Sequence, residues 1–342
     1  MAPRRKRPST RQSVTPRGIL SGFSRLRVAV VGDLVADEFI YGQIDRVSRE
    51  APVLILSYDS TEILPGGAGN AANNVAALGG IVEIVGVVGR DNGGTRLLRA
   101  LSSCASVKGV VRAAGYVTPV KTRILAGGVH SAKQQVVRID RAGSGPSAAV
   151  SRRVEVALAD AIRRADAVII SDYGKGLVTP ELWSRALSAA RVRRPPLVLV
   201  DSRYALNGFV GMTACTPNES EVEALLGIRI NDDRVTLERA GRTLLTRLQC
   251  EAVLVTRGSR GMALFETGRP TEHIAIVGSD QVTDVTGAGD TVIATFTLAV
   301  AAGASFSQAA HLANTAGGLV VMKRGTATVS ASELGEALRG RR

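Results

Sequence analysis

Short apolar runs alternate along the chain with longer segments in which apolar residues recur at helical spacing. The runs are typical of strands buried on both faces and lie at 26–31, 82–88, 107–112, 167–170, 197–200, 213–216 and 252–255. Helical spacing predicts helices at 95–102, 150–164, 180–190, 236–248 and 308–321. Strands that alternate with helices are typical of an α/β domain built on a mostly parallel sheet.

One part of the pattern departs from this alternation. Residues 39–58 have an extended pattern broken at Gly42 and Pro52, and no helical segment directly follows the first predicted strand. Residues 117–140 are predicted to form two strands joined by Gly127-Gly128. We therefore expect a small second sheet set apart from the main one.

Basic residues alternate along the second pair of predicted strands. Lys121 and Arg123 are two positions apart, so their side chains emerge on the same face of the strand, and Arg138 lies on the neighbouring strand. A solvated sheet edge is the ordinary interpretation of such charges. A basic face on a mobile flap would also suit a phosphorylated substrate.

Charge is unevenly distributed along the 342 residues. The net charge is +13, but eight basic residues and no acid lie within residues 1–27, which leaves +5 on the rest. Residues 1–24 lack an apolar pattern, so we expect a disordered basic arm followed by a folded domain at 25–340. A solvated tail, a nucleic-acid or membrane-surface tether and an Arg-rich transit peptide all remain open for the arm.

The remaining composition excludes several classes of protein. No apolar run approaches the roughly 18 residues that span a bilayer, and no signal peptide is evident, so we expect a soluble protein. The three cysteines are scattered without C-x-x-C spacing and the three histidines do not cluster. A zinc site or a disulfide framework is therefore not expected, and a reducing cytoplasm is the expected compartment.

The segment D-V-T-G-A-G-D-T at 284–291 carries the strongest chemical signal. Its glycines precede an apolar run, which predicts a tight loop opening into a buried helix, where free amides and the helix dipole favour an anion such as phosphate. Asp290 beside that anion could take a proton from an attacking hydroxyl. A bare G-x-G is often only a turn, but the flanking Asp and Thr residues favour a site. The spacing matches neither a P-loop nor a dinucleotide fingerprint.

Other polar motifs follow the predicted strands. A second glycine-rich loop, P-G-G-A-G-N at 65–70, precedes a helix of small residues. Because ligands collect at the carboxyl ends of strands in open α/β sheets, we expect the acids that follow several strands to converge on one edge. These acids are Asp33, Asp37, Asp172, Asp201 and Glu221.

In this order, the motifs resemble those of the ribokinase-like (PfkB) sugar kinases over about residues 26–340. Within that family the chain is most similar to the D-glycero-β-D-manno-heptose 7-phosphate kinases, which form one half of bifunctional ADP-heptose synthesis proteins. The similarity rests on V-V-G-D-L-V-A-D, Y-G-Q-I-D-R-V-S-R-E-A-P-V, P-G-G-A-G-N, V-K-T-R, Q-Q-V-V-R-I-D, S-D-Y-G-K-G, T-P-N-E-S-E and D-V-T-G-A-G-D-T-V. Two places differ from the family's tendency: S-R-E-A-P-V-L replaces S-P-E-A-P-V-P, and D-S-R at 201–203 replaces D-P-K.

The resemblance implies a fold and a role for each matched position. The fold would be a ribokinase-like three-layer α/β/α sandwich with a mostly parallel central sheet and a small β lid, formed by about 38–58 and 117–140. Asp290 would be the base, beside an anion hole formed by Gly287, Ala288 and Gly289. The substrate would be bound by Asp33, Gly66, Gly67, Asn70, Asp172 and Lys175, with Lys121 and Arg123 near its phosphate. The nucleotide would be bound by Asn218, Glu221, Thr256, Gly258, Thr286, Gly287, Gly289 and Asn314.

The resemblance also implies ligands and partners. ATP would be the phosphoryl donor, with Mg²⁺ held largely through water by Asn218 and Glu221, and K⁺ is the candidate monovalent ion at Asp284 and Thr286. We expect a homodimer formed through the lid, no membrane association, and no nucleic acid except through the basic arm. We also expect the nucleotidyltransferase half of the bifunctional relatives to be absent. The alternatives are a kinase for ribose, fructose 6-phosphate or adenosine, and a non-catalytic regulator or nucleic-acid tether on the same fold.

Overall fold

Two sheets organise the chain in the computed structural model, which describes residues 15–128, 133–278 and 283–340. The strands are β1 (Arg27–Gly32), β2 (Leu34–Val47), β3 (Leu54–Gly67), β4 (Ile81–Gly89), β5 (Ser106–Ala113), β6 (Val120–Gly127), β7 (Gln134–Arg141), β8 (Ala167–Asp172), β9 (Leu197–Ser202), β10 (Ala214–Cys215), β11 (Ala252–Thr256), β12 (Met262–Glu266) and β13 (Glu272–Ile274).

Helices flank the main sheet on both sides. They are α1 (Pro16–Gly22), α2 (Ala68–Ala77), α3 (Asn92–Ser102), α4 (Ala148–Arg164), α5 (Pro180–Ala190), α6 (Glu219–Leu226), α7 (Arg234–Leu248), α8 (Ala288–Ala301), α9 (Phe306–Val320) and α10 (Ala331–Arg339). The predicted helix at 180–190 matches α5, and the others agree to within a few residues at each end.

The main sheet has nine strands in the order β13-β12-β11-β10-β9-β8-β1-β4-β5. Its strands are parallel from β11 to β5, and β12 and β13 are added antiparallel at one edge. Alternate residues of β1 enter opposite cores: Val28 and Val30 pack with α2, α8 and α9, whereas Ala29 and Val31 pack with α4, α5 and α7. This two-sided burial explains the uninterrupted apolar runs and confirms the predicted three-layer α/β/α fold.

The second sheet has four strands in the order β3-β2-β6-β7. This sheet includes more residues than the predicted lid segments at 38–58 and 117–140. Strand β2 begins at Leu34, soon after β1 ends, and β3 continues to Gly67. The central β2–β6 pair is parallel, and the two outer pairs are antiparallel. In this register Asp37 and Phe39 lie beside Lys121 and Arg123, so these four side chains share one face of the second sheet.

The expectation that residues 1–24 are disordered is wrong for its last ten residues. Thr15 caps α1 by accepting a hydrogen bond from the amide of Gly18, and Pro16 occupies the first helical turn. Ile19 and Phe23 are fully buried in the core that also contains Leu334 of α10. These two apolar residues are four positions apart, so they lie on one face of a helix and can pack together against the core. The surrounding residues are mostly basic or polar, which makes this short apolar pattern hard to recognise in the sequence. Residues 1–14 lie outside the described residues.

Among the described helices, none combines the length and the apolar character that a bilayer crossing requires.

Candidate active site

Asp290 lies in the first turn of α8 with almost no exposed surface. Its Oδ2 accepts a hydrogen bond from Asn70 Nδ2 at 2.8 Å, and its Oδ1 accepts one from the Tyr173 hydroxyl at 3.0 Å. Burial raises the pKa of Asp290 to about 6, against the opposing effect of these two donors. The carboxylate is therefore held at both oxygens and titrates close to neutral pH.

The loop before Asp290 depends on glycine. Gly287 has φ +79°, and a Cβ there would lie 2.4 Å from Asn70 Nδ2, so a side chain would displace the amide that holds Asp290. The amide of Ala288 already donates to the carbonyl of Val285 within the loop. Gly289 is exposed in the first turn of α8, where backbone amides lack intrahelical partners and can bind an anion.

A second hydrogen-bonded layer supports Asn70. Asn74 Nδ2 donates to the Asn70 carbonyl at 3.0 Å and to Asn70 Oδ1 at 3.2 Å. Asn74 Oδ1 in turn accepts from the hydroxyl of Thr291 at 2.8 Å. All three side chains are buried, so the two glycine-rich loops are joined through a polar network that fixes the orientation of the Asn70 amide.

Asp33 stands at the end of β1 and has one oxygen in use. Its Oδ2 accepts from the amides of Tyr173 and Lys175, at 2.9 and 3.0 Å. Its Oδ1 is buried without a partner among the residues that the structure describes. Burial raises the pKa of Asp33 to about 6. Gly67, with φ +58°, lets the backbone pass here, because a Cβ would lie 2.5 Å from the Asp33 carbonyl oxygen.

Asp172 was expected to bind sugar hydroxyls, but both of its carboxylate oxygens accept hydrogen bonds from other residues of the protein. Its Oδ1 accepts from the amide of Gly174 at 2.8 Å, and its Oδ2 accepts from the Ser202 hydroxyl at 2.7 Å. The side chain is buried. Asp172 thus shapes the loop that carries Tyr173 and Lys175 between β8 and β9.

Charged residues gather on the face of the second sheet that carries Asp37, Lys121 and Arg123. Arg123 Nη1 lies 2.6 Å from Asp37 Oδ1, and the two side chains are only 11% and 6% exposed. Arg123 also stacks on Phe39, 5.2 Å from the ring centroid. The expectation of a solvated edge is wrong for Arg123, and its charge is already matched by Asp37. Arg138 is likewise taken up, through two hydrogen bonds to Asp140.

Two other cations flank Tyr173. Lys121 Nζ and the guanidinium of Arg203 each lie 5.4 Å from the centroid of the Tyr173 ring. Within the described residues, no salt bridge joins either cation to a carboxylate. Burial lowers the pKa of Lys121, the nearby Asp37 carboxylate opposes this effect, and Arg138, Arg203 and Arg123 lower the pKa further. A phosphate group would relieve this repulsion.

Asn218 and Glu221 form a capping box at the start of α6. Asn218 Oδ1 accepts from the Glu221 amide and Glu221 Oε2 accepts from the Asn218 amide, both at 2.9 Å. Burial raises the pKa of Glu221. It also raises the pKa of Asp201 at the end of β9, which Glu221 and Asp290 raise further. The acids at successive strand ends thus share one electrostatic neighbourhood.

The remaining candidate nucleotide residues lie beside α6. Thr256 forms an isolated parallel bridge with Asn218, and its amide donates to the Pro217 carbonyl at 3.0 Å. Gly258 follows in an exposed loop with φ +56°. Asn314 is buried in α9 and uses its Nδ2 to hold the carbonyl of Ala275 at 2.7 Å.

Asp284 closes the far side of the glycine-rich loop. Its Oδ1 accepts from the amide of Thr286 at 2.9 Å, and its Oδ2 accepts from the amide of Gly325 at 3.0 Å. Asp284 therefore joins the segments that carry Thr286 and Gly325.

Comparison with known families identifies the family to which the chain belongs. The family model described as pfkB family carbohydrate kinase matches residues 26–333. The chain belongs to the pfkB family of carbohydrate kinases. The matched region contains both glycine-rich loops and the second sheet. The chain is therefore an ATP-dependent carbohydrate kinase.

Curated relatives of this pfkB kinase are longer than the chain. The Bifunctional protein HldE of Geobacter metallireducens is 42% identical over 311 residues, which cover 90% of this chain and 62% of the relative. The protein of the same name from Caulobacter vibrioides is 40% identical over 316 residues, 91% of this chain and 63% of the relative. The chain therefore spans about three fifths of the relatives that it matches.

Solved structures share the fold of this pfkB kinase at low identity. Ribokinase from Arabidopsis thaliana, solved with ribose and ATP, has a TM-score of 0.70 at 22% identity and covers 92% of this chain and 99% of its own. Phosphofructokinase-2 from Escherichia coli, solved with potassium, has a TM-score of 0.73 at 19% identity, with 93% and 100% covered. These likenesses confirm the ribokinase-like fold.

Sequence reasoning missed several contributors to this pfkB site. Tyr173 has no sequence signal beyond its place in S-D-Y-G-K-G, because its bond to Asp290 joins residues 117 positions apart. Arg203 differs from the lysine of D-P-K, but this difference does not predict its contact with Tyr173. Asn74 had a usable signal, since it lies four positions after Asn70 and so on the same helix face.

Proposed function

We propose that this pfkB kinase transfers the γ-phosphoryl group of ATP to a hydroxyl of D-glycero-β-D-manno-heptose 7-phosphate, giving the 1,7-bisphosphate used for ADP-heptose and lipopolysaccharide precursors. The observation that carries the proposal is the Asp290 carboxylate, buried and held by two donors at a helix N-terminus, with two cations close by that form no salt bridge among the described residues. The motif resemblance to the heptose 7-phosphate kinases supports the heptose assignment, together with the similarity to the relatives named Bifunctional protein HldE.

Asp290 supplies the proton acceptor. A pKa near 6 leaves it ionised at neutral pH yet basic enough to take a proton from an attacking hydroxyl. As the sugar oxygen bonds to the γ-phosphorus, the bond from that phosphorus to the bridging oxygen of ADP breaks, and the hydroxyl proton passes to Asp290. The amides of Gly289 and Asp290 stabilise negative charge on the transferred group.

Asp33 orients the sugar. Its Oδ1 is a buried acceptor without a partner in the described protein, and such an atom is costly unless a donor reaches it. A sugar hydroxyl is the donor that we assign to it. Gly66, Gly67 and Asn70 keep their assignment to the substrate, and glycine is required at both positions because a Cβ would collide with the Asp37 carboxylate at 66 and with the Asp33 carbonyl oxygen at 67.

Lys121 and Arg203 bind the phosphate already present on the sugar. Both lack a carboxylate partner among the described residues, whereas the Arg123 charge is matched by Asp37. We therefore move the expected phosphate contact from Arg123 to Arg203 and leave Arg123 to hold β2 against β6.

Glu221 and Asn218 fit a role in binding Mg²⁺. Among the described residues no three His, Cys, Asp or Glu side chains form a metal cage. Mg²⁺ bound with nucleotide needs only one or two carboxylates, because phosphates and waters complete its shell. Glu221, with Asp201 close by, fits that pattern, and the ion would neutralise charge on the transferred phosphate.

Asp284 and Thr286 are our proposed monovalent-cation position, for which K⁺-dependent activity is the test.

The second sheet acts as a lid and as a dimer interface in this proposal. Val137 and Ile139 of β7 are 46% and 49% exposed on the face opposite Arg138, and β7 is exposed along its whole length. A lid excludes water that would otherwise hydrolyse ATP. Replacing both residues with Lys should convert a dimer to a monomer in sedimentation experiments, whereas Val156→Lys on α4 should not.

A cytoplasmic location suits the three free cysteines.

A substrate panel tests the proposed reaction. ATP-Mg²⁺ would be supplied with heptose 7-phosphate, fructose 6-phosphate, ribose or adenosine, and ADP release measured with the wild type and with Asp290→Asn as the inactive control. We expect the highest kcat/KM with heptose 7-phosphate. A higher kcat/KM with ribose or adenosine would overturn the sugar-phosphate assignment, and ADP release by none of the four would overturn the kinase reaction.

A further inference from the structure

Tyr173 makes three separate contacts at the centre of the site. Its hydroxyl donates to Asp290 Oδ1 at 3.0 Å, and its backbone amide donates to Asp33 Oδ2 at 2.9 Å. Its ring contacts both Lys121 and Arg203, each 5.4 Å from the centroid. One residue thus touches the proposed base, the sugar-orienting carboxylate and the two proposed phosphate-binding cations.

We propose that Tyr173 is a positioning residue, which holds the Asp290 carboxylate in its proton-accepting orientation through the phenol while the two cations hold the phenol ring. The proposal rests on the proposed role of Asp290 as base. It assigns to Tyr173 a task in the reaction that goes beyond shaping the loop after β8.

The two donors of Asp290 act on different oxygens. Asn70 holds Oδ2 from α2, and Tyr173 holds Oδ1 from the loop after β8. With only one donor, the carboxylate could rotate about its Cβ–Cγ bond, and a misdirected base lowers the rate of proton transfer. The phenol remains a donor because burial and the nearby Asp290 raise the pKa of Tyr173 well above its usual value of 10.

Ring contacts fix where the phenol points. Cations at the faces of an aromatic ring are attracted by its quadrupole, and this attraction strengthens where water is scarce. Lys121 comes from β6 of the second sheet and Arg203 from the end of β9, so the ring is held from both sides of the cleft. Replacing Tyr by Phe keeps this stacking and removes only the donor.

The bond to Tyr173 should be visible in the titration of Asp290. The groups that act on this carboxylate are Asn70 and Tyr173 as donors, Lys121 as a cation that lowers its pKa, and Asp37 and Asp201 as neighbouring carboxylates. A donor to the ionised form lowers a carboxyl pKa, so losing the phenol hydroxyl should raise it. A role in loop shape alone would leave this pKa unchanged.

Tyr173→Phe tests the inference through the pH profile of kcat and kcat/KM with the preferred acceptor of the panel. Losing one hydrogen bond to a charged group changes an equilibrium or rate constant by roughly tenfold or more. We therefore expect kcat to fall about tenfold and the acidic limb of the pH profile to move up by about one pH unit. KM for ATP should stay within about twofold. Tyr58→Phe, on an exposed tyrosine of β3, is the matched control and should behave as wild type. Titration of the substrate phosphate cancels in the comparison.

A double-mutant cycle provides a readout that needs no turnover. The pH dependence of the unfolding free energy would be measured for the wild type, Tyr173→Phe, Asp290→Asn and the double variant. Tyr173→Phe should lose more stability at pH 8 than at pH 4 in the wild-type background, and this pH-dependent part should vanish with Asn at 290.

The outcomes separate this inference from the proposed function. If Asp290→Asn is inactive but Tyr173→Phe keeps the acidic limb of the wild type, the positioning role is wrong and Asp290 remains the base. If kcat falls equally at every pH, Tyr173 is structural only. If Asp290→Asn retains activity, the proposed base itself is wrong.

Discussion

Asn70 Nδ2 donates a hydrogen bond to Asp290 Oδ2 across 2.8 Å, although 220 positions separate the two residues. Each residue lies in the first turn of a helix that follows a glycine-rich loop, at the start of α2 and of α8. The contact explains why the chain carries two such loops. In the proposed mechanism, one loop supplies the base and the anion-binding amides, and the other supplies the amide that fixes the base.

Replacing Asp290 with Asn removes the proton acceptor while keeping the size of the side chain. Turnover should fall by on the order of 10²–10⁴, because general-base assistance contributes about that factor. The dissociation constant for ATP should change little. Steady-state kinetics and nucleotide titration measure the two quantities, and a turnover within a few-fold of wild type would rule out Asp290 as the base.

The same substitution should change how stability depends on pH. Folding raises the pKa of Asp290 from 3.8 to about 6, so the folded state holds its proton more tightly than the unfolded chain does. The ionised carboxylate therefore destabilises the fold, and the penalty grows from about pH 4 to pH 6 and then stays constant.

Relative to wild type, Asp290→Asn should gain stability across that window, by as much as about 3 kcal/mol. Chemical denaturation at pH 4, 6 and 8 measures the gain. A difference between the two proteins that is the same at all three pH values would contradict the raised pKa. Asp160→Asn, on an exposed acid of α4, is a suitable control, since its side chain is 50% exposed.

The sequence predicted most of the fold because burial on both faces leaves a continuous apolar run, as in β1 and β8, and capped helices keep their spacing, as in α5. It also located Asp290 and Asn70. It could not predict that Arg123 would pair with Asp37, because the pairing depends on the parallel register of β2 with β6. The Tyr173–Asp290 bond likewise needs the β8 and α8 loops to meet at one sheet edge.

Helix α1 should contribute to stability although the basic segment before it need not. Phe23 is 1% exposed in the core beneath α10, and truncating a buried Phe to Ala typically costs about 3–5 kcal/mol. A chain that starts at Thr15 should melt like the full-length protein, and a chain that starts at Ser24 should melt at a clearly lower temperature. Equal melting temperatures for the two truncated chains would show that α1 does not stabilise the domain.

The cations beside Tyr173 should determine the preference for a phosphorylated sugar. Arg203→Ala should raise KM for heptose 7-phosphate about tenfold or more, because a charge-assisted contact to phosphate is lost, while KM for ATP barely moves. Arg203→Lys should recover only part of the loss, since a guanidinium can grip two phosphate oxygens. Tyr173→Phe in parallel keeps the ring and controls for disturbed stacking.

Arg123→Ala distinguishes this assignment from the one that sequence spacing suggested. The Arg123–Asp37 pair is buried, and removing one partner leaves an uncompensated charge, which typically costs about 3–5 kcal/mol. We therefore expect Arg123→Ala to lower the melting temperature strongly, and the double variant Arg123→Met with Asp37→Leu to recover much of that loss. If Arg123→Ala instead kept wild-type stability and raised KM for the phosphorylated sugar alone, Arg123 would be the phosphate ligand, and Arg203 would have no claim to that role.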